Sequence, residues 1–396
     1  MATATRPQAL PLTLPEPYVL SPPTSIVRVR MPELDTLRGV AILLVLLFHG
    51  FGFAYGTQNL GGLGRSFVSA TLYGWTGVDL FFVLSGFLIT GILLDTKSLS
   101  DYYRRFYIRR ALRILPPYFA VLLVLAAVTR TSLFLHPAPW SFLGISVLFL
   151  ANFTTIFRIP AYYGVLWSLA VEEHFYLIWP NFVRRFSAPG AAACAGAVCI
   201  LCPALRAAGF LLHRGQGWND YGAYTWLVAD GLAIGALFAI ALRGPLQSRK
   251  DNWKLAAAAL GTGIGMLIAG APFGILSQCR LLGMTFRQTA LNIFFLGILS
   301  LALLVGTGPW KRFVCLKPLR FLGEISYGVY LIHTFIFWVV DRCRDIFLPH
   351  LPPIDGNFPL MCARFGVAFA ATILVSYVSR WYFEERFLRL KDKFDA

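Results

Sequence analysis

Charged residues are scarce in this sequence. Only 14% of its 396 residues are Asp, Glu, Lys or Arg, whereas 57% are hydrophobic and the mean hydropathy is +0.65. A soluble domain of this length has no need for so much apolar surface. The composition therefore excludes a soluble domain and indicates a polytopic helical membrane protein.

Acidic residues are scarcer still, with 19 Asp and Glu against 35 Lys and Arg, which gives a net charge of +16. Such an excess can indicate nucleic-acid binding. Here, however, the Lys and Arg residues cluster between apolar segments, as orientation signals in membrane proteins do. We therefore expect membrane lipids and no nucleic acid as partners, and an anionic ligand at the cytoplasmic face is compatible with the pattern.

Short signatures of several soluble enzyme classes are also missing from the sequence. It has no P-loop, no GxSxG, no HExxH and no CxxC metal pattern, because its seven cysteines, several of them inside apolar segments, lack metal-like spacing. We expect no metal site and no bound cofactor. The candidate functional residues are then the polar ones inside apolar segments.

The order of apolar segments predicts the architecture. Residues 1–30 are proline-rich and are expected to form a disordered cytoplasmic tail, whereas residues 31–390 are expected to form one transmembrane domain. Apolar segments lie near 34–51, 72–94, 116–130, 140–157, 163–182, 190–212, 223–242, 254–276, 288–307, 320–341 and 361–383.

The positive-inside rule reduces the number of crossings. Arg113 and the Arg184–Arg185 pair are both predicted to be cytoplasmic, although three apolar segments separate them. One segment, either 116–130 or 140–157, is therefore expected to be re-entrant or interfacial. This gives an all-α bundle of about ten spans with both termini in the cytoplasm.

The first apolar segment, LDTLRGVAILLVLLFHGF, carries Arg38 at its start and His49 well inside. Eleven residues of helix correspond to three turns plus roughly 20°, so both side chains point to nearly the same face, about 16 Å apart. Arg38 then lies at a membrane surface and His49 near the midplane, where an ionisable residue indicates function. The structural alternative makes Arg38 an orientation signal and His49 a contact between helices.

The second segment, with the stretch GWTGVDLFFVLSGFLITG, contains glycines that would let neighbouring helices approach closely, namely Gly77, Gly86 and Gly91. Its polar members are Asp79 and Ser85. The following stretch, DYYRRFYIRRALRILPPYF, places Arg105, Arg109 and Arg113 on one helical face and predicts an interfacial amphipathic helix ended by Pro116 and Pro117.

Two later segments carry more buried polar residues. In YYGVLWSLAVEEHFYLIWP, Glu172 shares a face with Ser168 and Tyr176, and Glu173 lies about 100° away. Two adjacent carboxylates are expected to face a cavity or a partner. In FLGEISYGVYLIHTF, one face carries Ser326, Tyr330 and His333. His333 is either a candidate base or hydrogen-bond donor, or a histidine whose bonds are satisfied between helices. For Asp230, in the segment near 223–242, pairing with an arginine is the commoner explanation.

In combination these motifs resemble the integral-membrane acyltransferase family 3, whose members acylate hydroxyls of O-antigen, exopolysaccharide and macrolides. The matching stretches are LDTLRGVAILLVLLFHG, GVDLFFVLSGFLIT, YIRRALRILPPYF, WSLAVEEHFYLIWP and ISYGVYLIH. The sequence departs from the family pattern at His174, where Gln is common, and at Phe387, where Pro is usual.

The resemblance implies transfer of an acyl group, acetyl or another short acyl, from cytoplasmic acyl-CoA as co-substrate to a carbohydrate or macrolide hydroxyl. It implies that Arg38 and His49 are essential positions, and that Glu172 or Glu173 supports the site. The arginine motif, with Arg105, Arg109, Arg110 and Arg113, would serve the CoA side. Catalytic candidates are His49, Glu172, Glu173 and His333; the substrate-binding candidates also include Asp79, Ser85, Ser326 and Tyr330.

Two other classes of function also account for the buried polar residues. A transporter or flippase would use the His and Glu residues to relay protons or bind its substrate, although no internal repeat supports this interpretation. A sensor or scaffold would use the arginines only to hold anionic lipid. The expected location is the bacterial plasma membrane.

Overall fold

The fold is described by a computed structural model that covers residues 28, 31–57, 59–131, 134, 136–212, 223–246, 248–306 and 311–394. Within these residues the chain is helical and forms no strand, which confirms the expected all-α class. The tail expected at residues 1–30 lies almost entirely outside the described residues.

The α-helices of the first half connect through short loops and are α1 (Pro32–Leu47), α2 (Gly62–Thr71), α3 (Thr76–Asp95), α4 (Tyr102–Val128), α5 (Trp140–Val147), α6 (Thr154–Phe157), α7 (Leu166–Arg185) and α8 (Ala188–Leu212). Those of the second half are α9 (Thr225–Val228), α10 (Asp230–Leu242), α11 (Arg249–Gly270), α12 (Leu281–Val305), α13 (Lys311–Val314), α14 (Lys317–Glu324), α15 (Ser326–Phe347), α16 (Phe358–Val378) and α17 (Glu385–Leu388). A π-helical segment follows α1 (Phe48–Gly52) and another follows α16 (Ser379–Glu384).

The described residues contain seven helical segments that are long and apolar enough to cross a membrane, or eight if the bent pair α14–α15 is one span. This supports an integral membrane protein, but it does not confirm the expected ten crossings. α10 has only 13 residues and is too short to be counted as a span. α7 is long enough to cross a membrane but too polar to be counted.

The prediction that Pro116 and Pro117 end the arginine helix is wrong. α4 continues through both prolines to Val128 and joins the arginine motif to the apolar segment near 116–130. Prolines remove backbone donors inside a helix, but this helix is bonded to other segments next to its two prolines. The Tyr327 hydroxyl donates to the carbonyl of Ile114 (3.0 Å), and the Tyr118 hydroxyl donates to that of Ser146 (2.7 Å).

Of the two segments expected to be re-entrant or interfacial, the one near 140–157 has no helix long enough to cross, since it consists of α5, a 3-10 turn (Ala151–Phe153) and α6. The longest of these pieces has eight residues, far fewer than the roughly 20 needed for a span. The Tyr162 hydroxyl donates to the carbonyl of His136 (2.8 Å), so the start of α7 lies beside the loop that follows α4.

Two of the predicted glycines bring α3 against its neighbours. A Cβ atom at Gly77 would lie 2.3 Å from the carbonyl oxygen of Ala41 in α1, and one at Gly86 would lie 1.9 Å from that of Leu232 in α10. Any larger residue would force these helices apart, so the close approach predicted for the second segment is confirmed. α3 thereby becomes a central helix of the bundle.

The bundle has two ends that differ in their side chains. We call the end where α3 finishes and α4 begins the arginine side; there the Tyr102 hydroxyl donates to the carbonyl of Pro180, near the end of α7 (3.0 Å). We call the end with His49 the histidine side, where Gly164 and Trp167 at the start of α7 share a cavity with His49. α7 therefore runs from the histidine side to the arginine side.

Candidate functional site

The first helix supplies a residue to each end of an internal path. Arg38 lies in the second turn of α1, and His49 lies in the π-helical segment that follows it. A π-helical turn inserted into an α-helix is rare and frequently marks a functional site. The side chains of Arg38 and His49 open into different cavities within the same bundle.

A central cavity of about 90 Å³ lies between α1, α3, α4, α7 and α15. Its walls contain residues that are distant from one another in the sequence. Their polarity within apolar segments predicts them as site residues. The predicted residues that line it are Arg38, Ser85, Arg110, Arg113, Glu172, Ser326 and Tyr330.

Glu172 is held at this cavity by two hydroxyl donors. Its Oε1 accepts a hydrogen bond from Ser85 (2.9 Å), and its Oε2 accepts one from Tyr176 (2.8 Å). The guanidinium of Arg110 lies over the Tyr176 ring, 4.6 Å from its centroid. A carboxylate with both oxygens bonded and arginines nearby has a fixed orientation, which suits a supporting role at a site.

A second cavity of about 410 Å³, the arginine cavity, lies on the arginine side of the central one. Arg38 and Arg113 line both cavities, and Arg380 and Lys391 from the C-terminal segment join them in the arginine cavity. Arg109 lies within electrostatic range of Lys391. Asp35, Glu324 and Glu384 also line this cavity, so its four cations, which we call the cation cluster, exceed its carboxylates by one. The guanidinium groups among them can pair with the phosphates of a ligand.

A third cavity of about 530 Å³, the histidine cavity, lies on the other side of the central one. His49 and Asp79 line it, together with the half-buried aromatic side chains Trp75 and Trp167. Gln288 also lines it and donates a hydrogen bond to Oδ1 of Asp79 (3.0 Å). An apolar wall with a few fixed polar groups is the usual make-up of a small-molecule site.

The three cavities lie in series. Arg38, Arg113 and Tyr327 line both the arginine and the central cavity, and Val78 and Tyr330 line both the central and the histidine cavity. The Tyr330 hydroxyl is hydrogen-bonded to Ser168 at the second junction. A chain of cavities therefore runs from the cation cluster to His49.

His333, the fourth catalytic candidate, lies behind His49 and lines none of the three cavities. Its side chain is fully buried, and its Nε2 lies 3.2 Å from Nδ1 of His49. The two rings meet in an edge-to-face arrangement, with centroids 4.8 Å apart.

Three other predicted residues lie away from the cavities. Glu173 occupies the neighbouring face of α7, and none of the described residues forms a hydrogen bond with its carboxylate. Arg105 forms an ion pair with Asp101 (3.0 Å). The arginines of α4 that line the cavities are Arg110 and Arg113, so neither Arg105 nor Arg109 lies on the cavity wall.

Several residues of the site were not predicted. Arg380 and Lys391 belong to a basic C-terminal stretch, which has the same composition as an orientation signal. Gln288 could have been predicted, because it is a polar residue at the start of an apolar segment, as Asp79 is.

The predicted arginine partner of Asp230 is Arg206, whose guanidinium bonds both carboxylate oxygens (2.9 and 3.2 Å).

Comparisons with known proteins identify a family and several relatives. A family model described as an acyltransferase domain matches residues 31–381. The chain is 29% identical over 348 residues to the peptidoglycan O-acetyltransferase OatA of Listeria monocytogenes, which covers 81% of this chain and 51% of that protein. It is 27% identical over 335 residues to the O-acetyltransferase OatA of Staphylococcus aureus, covering 76% of this chain and 50% of that protein.

The chain thus spans about half the length of the curated relatives it matches. No solved structure matches it.

Proposed function

This chain belongs to the integral-membrane acyltransferase family 3, and from that premise we propose that it moves an acyl group from cytoplasmic acyl-CoA to a hydroxyl of a carbohydrate. The observation that carries the proposal is the series of three cavities between the cation cluster and His49. A donor with phosphates at one end and a thioester at the other fits such a path in one orientation only.

The cation cluster would bind the phosphates of CoA. Arg113, Arg380 and Lys391 line the arginine cavity, and guanidinium groups pair with phosphate oxygens through two hydrogen bonds at once. The arginine side would face the cytoplasm, because loops rich in Lys and Arg are retained there. Both chain termini would then be cytoplasmic, and the bacterial origin of the relatives favours the plasma membrane.

The central cavity would admit the slender part of the donor. Its small volume suits an extended chain and no bulky head group, so the thioester would reach the junction at Tyr330 while the nucleotide stays in the arginine cavity. Glu172 would keep the surrounding arginines and hydroxyls in place through its hydrogen bonds with Ser85 and Tyr176. Fixed geometry of this kind is a large part of catalysis in two-substrate reactions.

The histidine cavity would bind the acceptor. Trp167 offers a flat apolar surface to a sugar ring, and the guanidinium of Arg287 already lies over the Trp75 ring, 4.5 Å from its centroid. Asp79 is buried, but no described residue forms a hydrogen bond with its Oδ2, which would accept one from a sugar hydroxyl. The names of the relatives make peptidoglycan the first acceptor to test, and they make acetyl the first acyl group. Other glycans and macrolides also carry hydroxyl groups and are further acceptors to test.

His49 would act as the general base. It would take the proton of the acceptor hydroxyl while that oxygen forms a bond with the thioester carbonyl carbon. The carbon–sulfur bond then breaks, and the proton passes from His49 to the CoA thiolate. The products are the O-acyl ester and free CoA, with no net proton released.

The test uses the full chain, purified into lipid nanodiscs, with acetyl-CoA and soluble peptidoglycan fragments. Mass spectrometry of the glycan and a thiol assay for free CoA measure the two products. We expect both products in equal amounts. Absence of both, together with transport of labelled glycan when the chain is reconstituted in vesicles, would contradict the proposal and favour a transporter.

A further inference from the structure

Two histidines from different helices lie within hydrogen-bond distance of each other at the histidine cavity. His49 is half-buried and lines that cavity, whereas His333 on α15 is fully buried behind it. Nδ1 of His49 and Nε2 of His333 lie 3.2 Å apart. Which nitrogen carries the hydrogen follows from the groups that surround each ring.

The protonation of His333 is fixed by two backbone carbonyls. Its Nδ1 lies 2.7 Å from the carbonyl oxygen of Tyr330 and 3.1 Å from that of Val329. A carbonyl oxygen only accepts, so Nδ1 must be the nitrogen that carries the hydrogen. A neutral imidazole has a single N–H, and Nε2 of His333 is therefore an acceptor.

The protonation of His49 is fixed by its neighbours in the same way. Its Nδ1 faces two acceptors, the carbonyl oxygen of Val45 (3.0 Å) and Nε2 of His333 (3.2 Å). Nδ1 of His49 therefore carries the hydrogen and shares it between them. Nε2 of His49 has a free lone pair, and no described residue forms a hydrogen bond with it.

We infer that His333 is a positioning residue that selects the Nδ1–H tautomer of His49 and so makes Nε2 of His49 the atom that receives the acceptor proton. The inference rests on the proposed function. Once Nε2 is protonated, the ring becomes an imidazolium whose Nδ1–H still donates to His333, which holds its orientation. The backbone carbonyl of Tyr330 keeps His333 in its own tautomer throughout.

This arrangement excludes the reverse assignment of roles. Both ring nitrogens of His333 are already occupied by Tyr330, Val329 and His49, and its side chain is 0% exposed. It cannot reach a substrate in any of the three cavities. His333 thus occupies the place that a carboxylate has in a catalytic triad, where the third residue orients the imidazole and fixes its tautomer.

Three substitutions of His333 separate positioning from packing. In His333→Gln the amide oxygen can take the place of Nε2 and accept the hydrogen of His49. The shorter side chain in His333→Asn cannot reach His49, and His333→Phe fills the space without an acceptor. His174→Gln is the matched control, because His174 bonds Thr225 and lines none of the three cavities.

We expect kcat to fall between about 10²- and 10⁴-fold in His333→Asn and His333→Phe, because a wrongly oriented or wrongly protonated base is nearly inactive. The KM for acetyl-CoA should stay unchanged, and His333→Gln should recover most of the activity. Full activity of the Asn and Phe variants would overturn the inference. So would a Gln variant that is well folded but as inactive as the Phe variant.

A spectroscopic measurement on the unmodified protein needs neither turnover nor variants of His333. Nitrogen-15 NMR of histidine-labelled protein distinguishes a protonated from an unprotonated nitrogen, and His49→Asn identifies the signals of His49. We expect Nδ1 to be protonated and Nε2 unprotonated. The opposite tautomer would overturn the inference, whereas absence of acyl transfer with the expected tautomer would contradict only the proposed function.

Discussion

Arg364 donates a hydrogen bond of 2.9 Å to the carbonyl oxygen of Gly50, inside the π-helical turn that carries His49. The same guanidinium bonds both carboxylate oxygens of Asp341 (2.6 and 2.7 Å) and lies 4.6 Å from the centroid of the Phe337 ring. A π-helical turn departs from the regular hydrogen-bond ladder and needs partners from elsewhere. α16 therefore helps to set the position of the histidine from outside its own helix.

Loss of this hydrogen bond should lower activity without changing substrate binding. We expect Arg364→Met to reduce kcat about 10- to 100-fold, because small displacements of a reacting group have effects of this size. Arg344→Met is the control, since Arg344 bonds Asp345 and the carbonyl of Pro352 but not the turn. Steady-state kinetics with acetyl-CoA measure both variants, and equal effects would show that Arg364 does not act through the turn.

Removal of the proposed base should abolish most turnover. His49→Ala is expected to leave folding and membrane insertion intact and to lower acyl transfer about 10²- to 10⁴-fold, the usual cost of losing a general base. Size-exclusion chromatography checks the fold, and release of free CoA measures the rate. Near-normal turnover in this variant would rule out His49 as the base, and His174→Ala should stay close to the unmodified protein.

Much of the fold was predictable because membrane segments are apolar and their glycines pack closely. Gly77 and Gly86 behave as their sequence context predicts. The end of the arginine helix was not predictable, since local sequence places two helix breakers there. Hydrogen bonds of Tyr118 and Tyr327 join α4 to other segments beside the prolines, and such contacts are invisible in the sequence of the helix itself.

The site was predictable where polarity was unusual for its surroundings. Arg38, Ser85 and Glu172 stood out as polar groups in apolar segments, and all three line the central cavity. Arg380 and Lys391 did not stand out, because a basic C-terminal stretch is common in membrane proteins. The pairing of the two histidines depends on how α1 packs against α15, which helical periodicity alone does not determine.

The cation cluster should govern donor binding. We expect Arg113→Gln and Lys391→Gln each to raise the KM for acetyl-CoA about tenfold, the effect of losing one hydrogen bond to a charged group, and to reduce its salt dependence. Arg105→Gln should have a smaller effect, because Arg105 is paired with Asp101 and lies on no cavity wall. A larger effect at Arg105 than at Arg113 would move the donor site toward the start of α4.

The two adjacent carboxylates should differ in importance. Both oxygens of Glu172 accept hydrogen bonds, and its charge interacts with Arg110 and Arg38. Glu172→Gln removes this charge and one of the two acceptors. We expect this variant to lower kcat/KM about tenfold or more, because hydrogen bonds to a charged group are stronger than those to a neutral one. Glu173→Gln should be milder, and similar losses in both would show that Glu173 also reaches the site.

The side from which each substrate arrives can be tested by labelling single cysteines in a variant without native cysteines. Ala161 lies in the exposed loop before α7 on the histidine side, and Ser100 lies in the exposed turn between α3 and α4 on the arginine side. In intact cells, an impermeant thiol reagent should modify Ala161→Cys, whereas Ser100→Cys should react only after permeabilisation, because the arginine-rich loops are retained in the cytoplasm. Acyl-CoA is cytoplasmic, so the donor would then enter past Arg113 and the acceptor past Trp75. Protection of Ala161→Cys together with labelling of Ser100→Cys would invert the bundle and exclude donor entry through the arginine cavity.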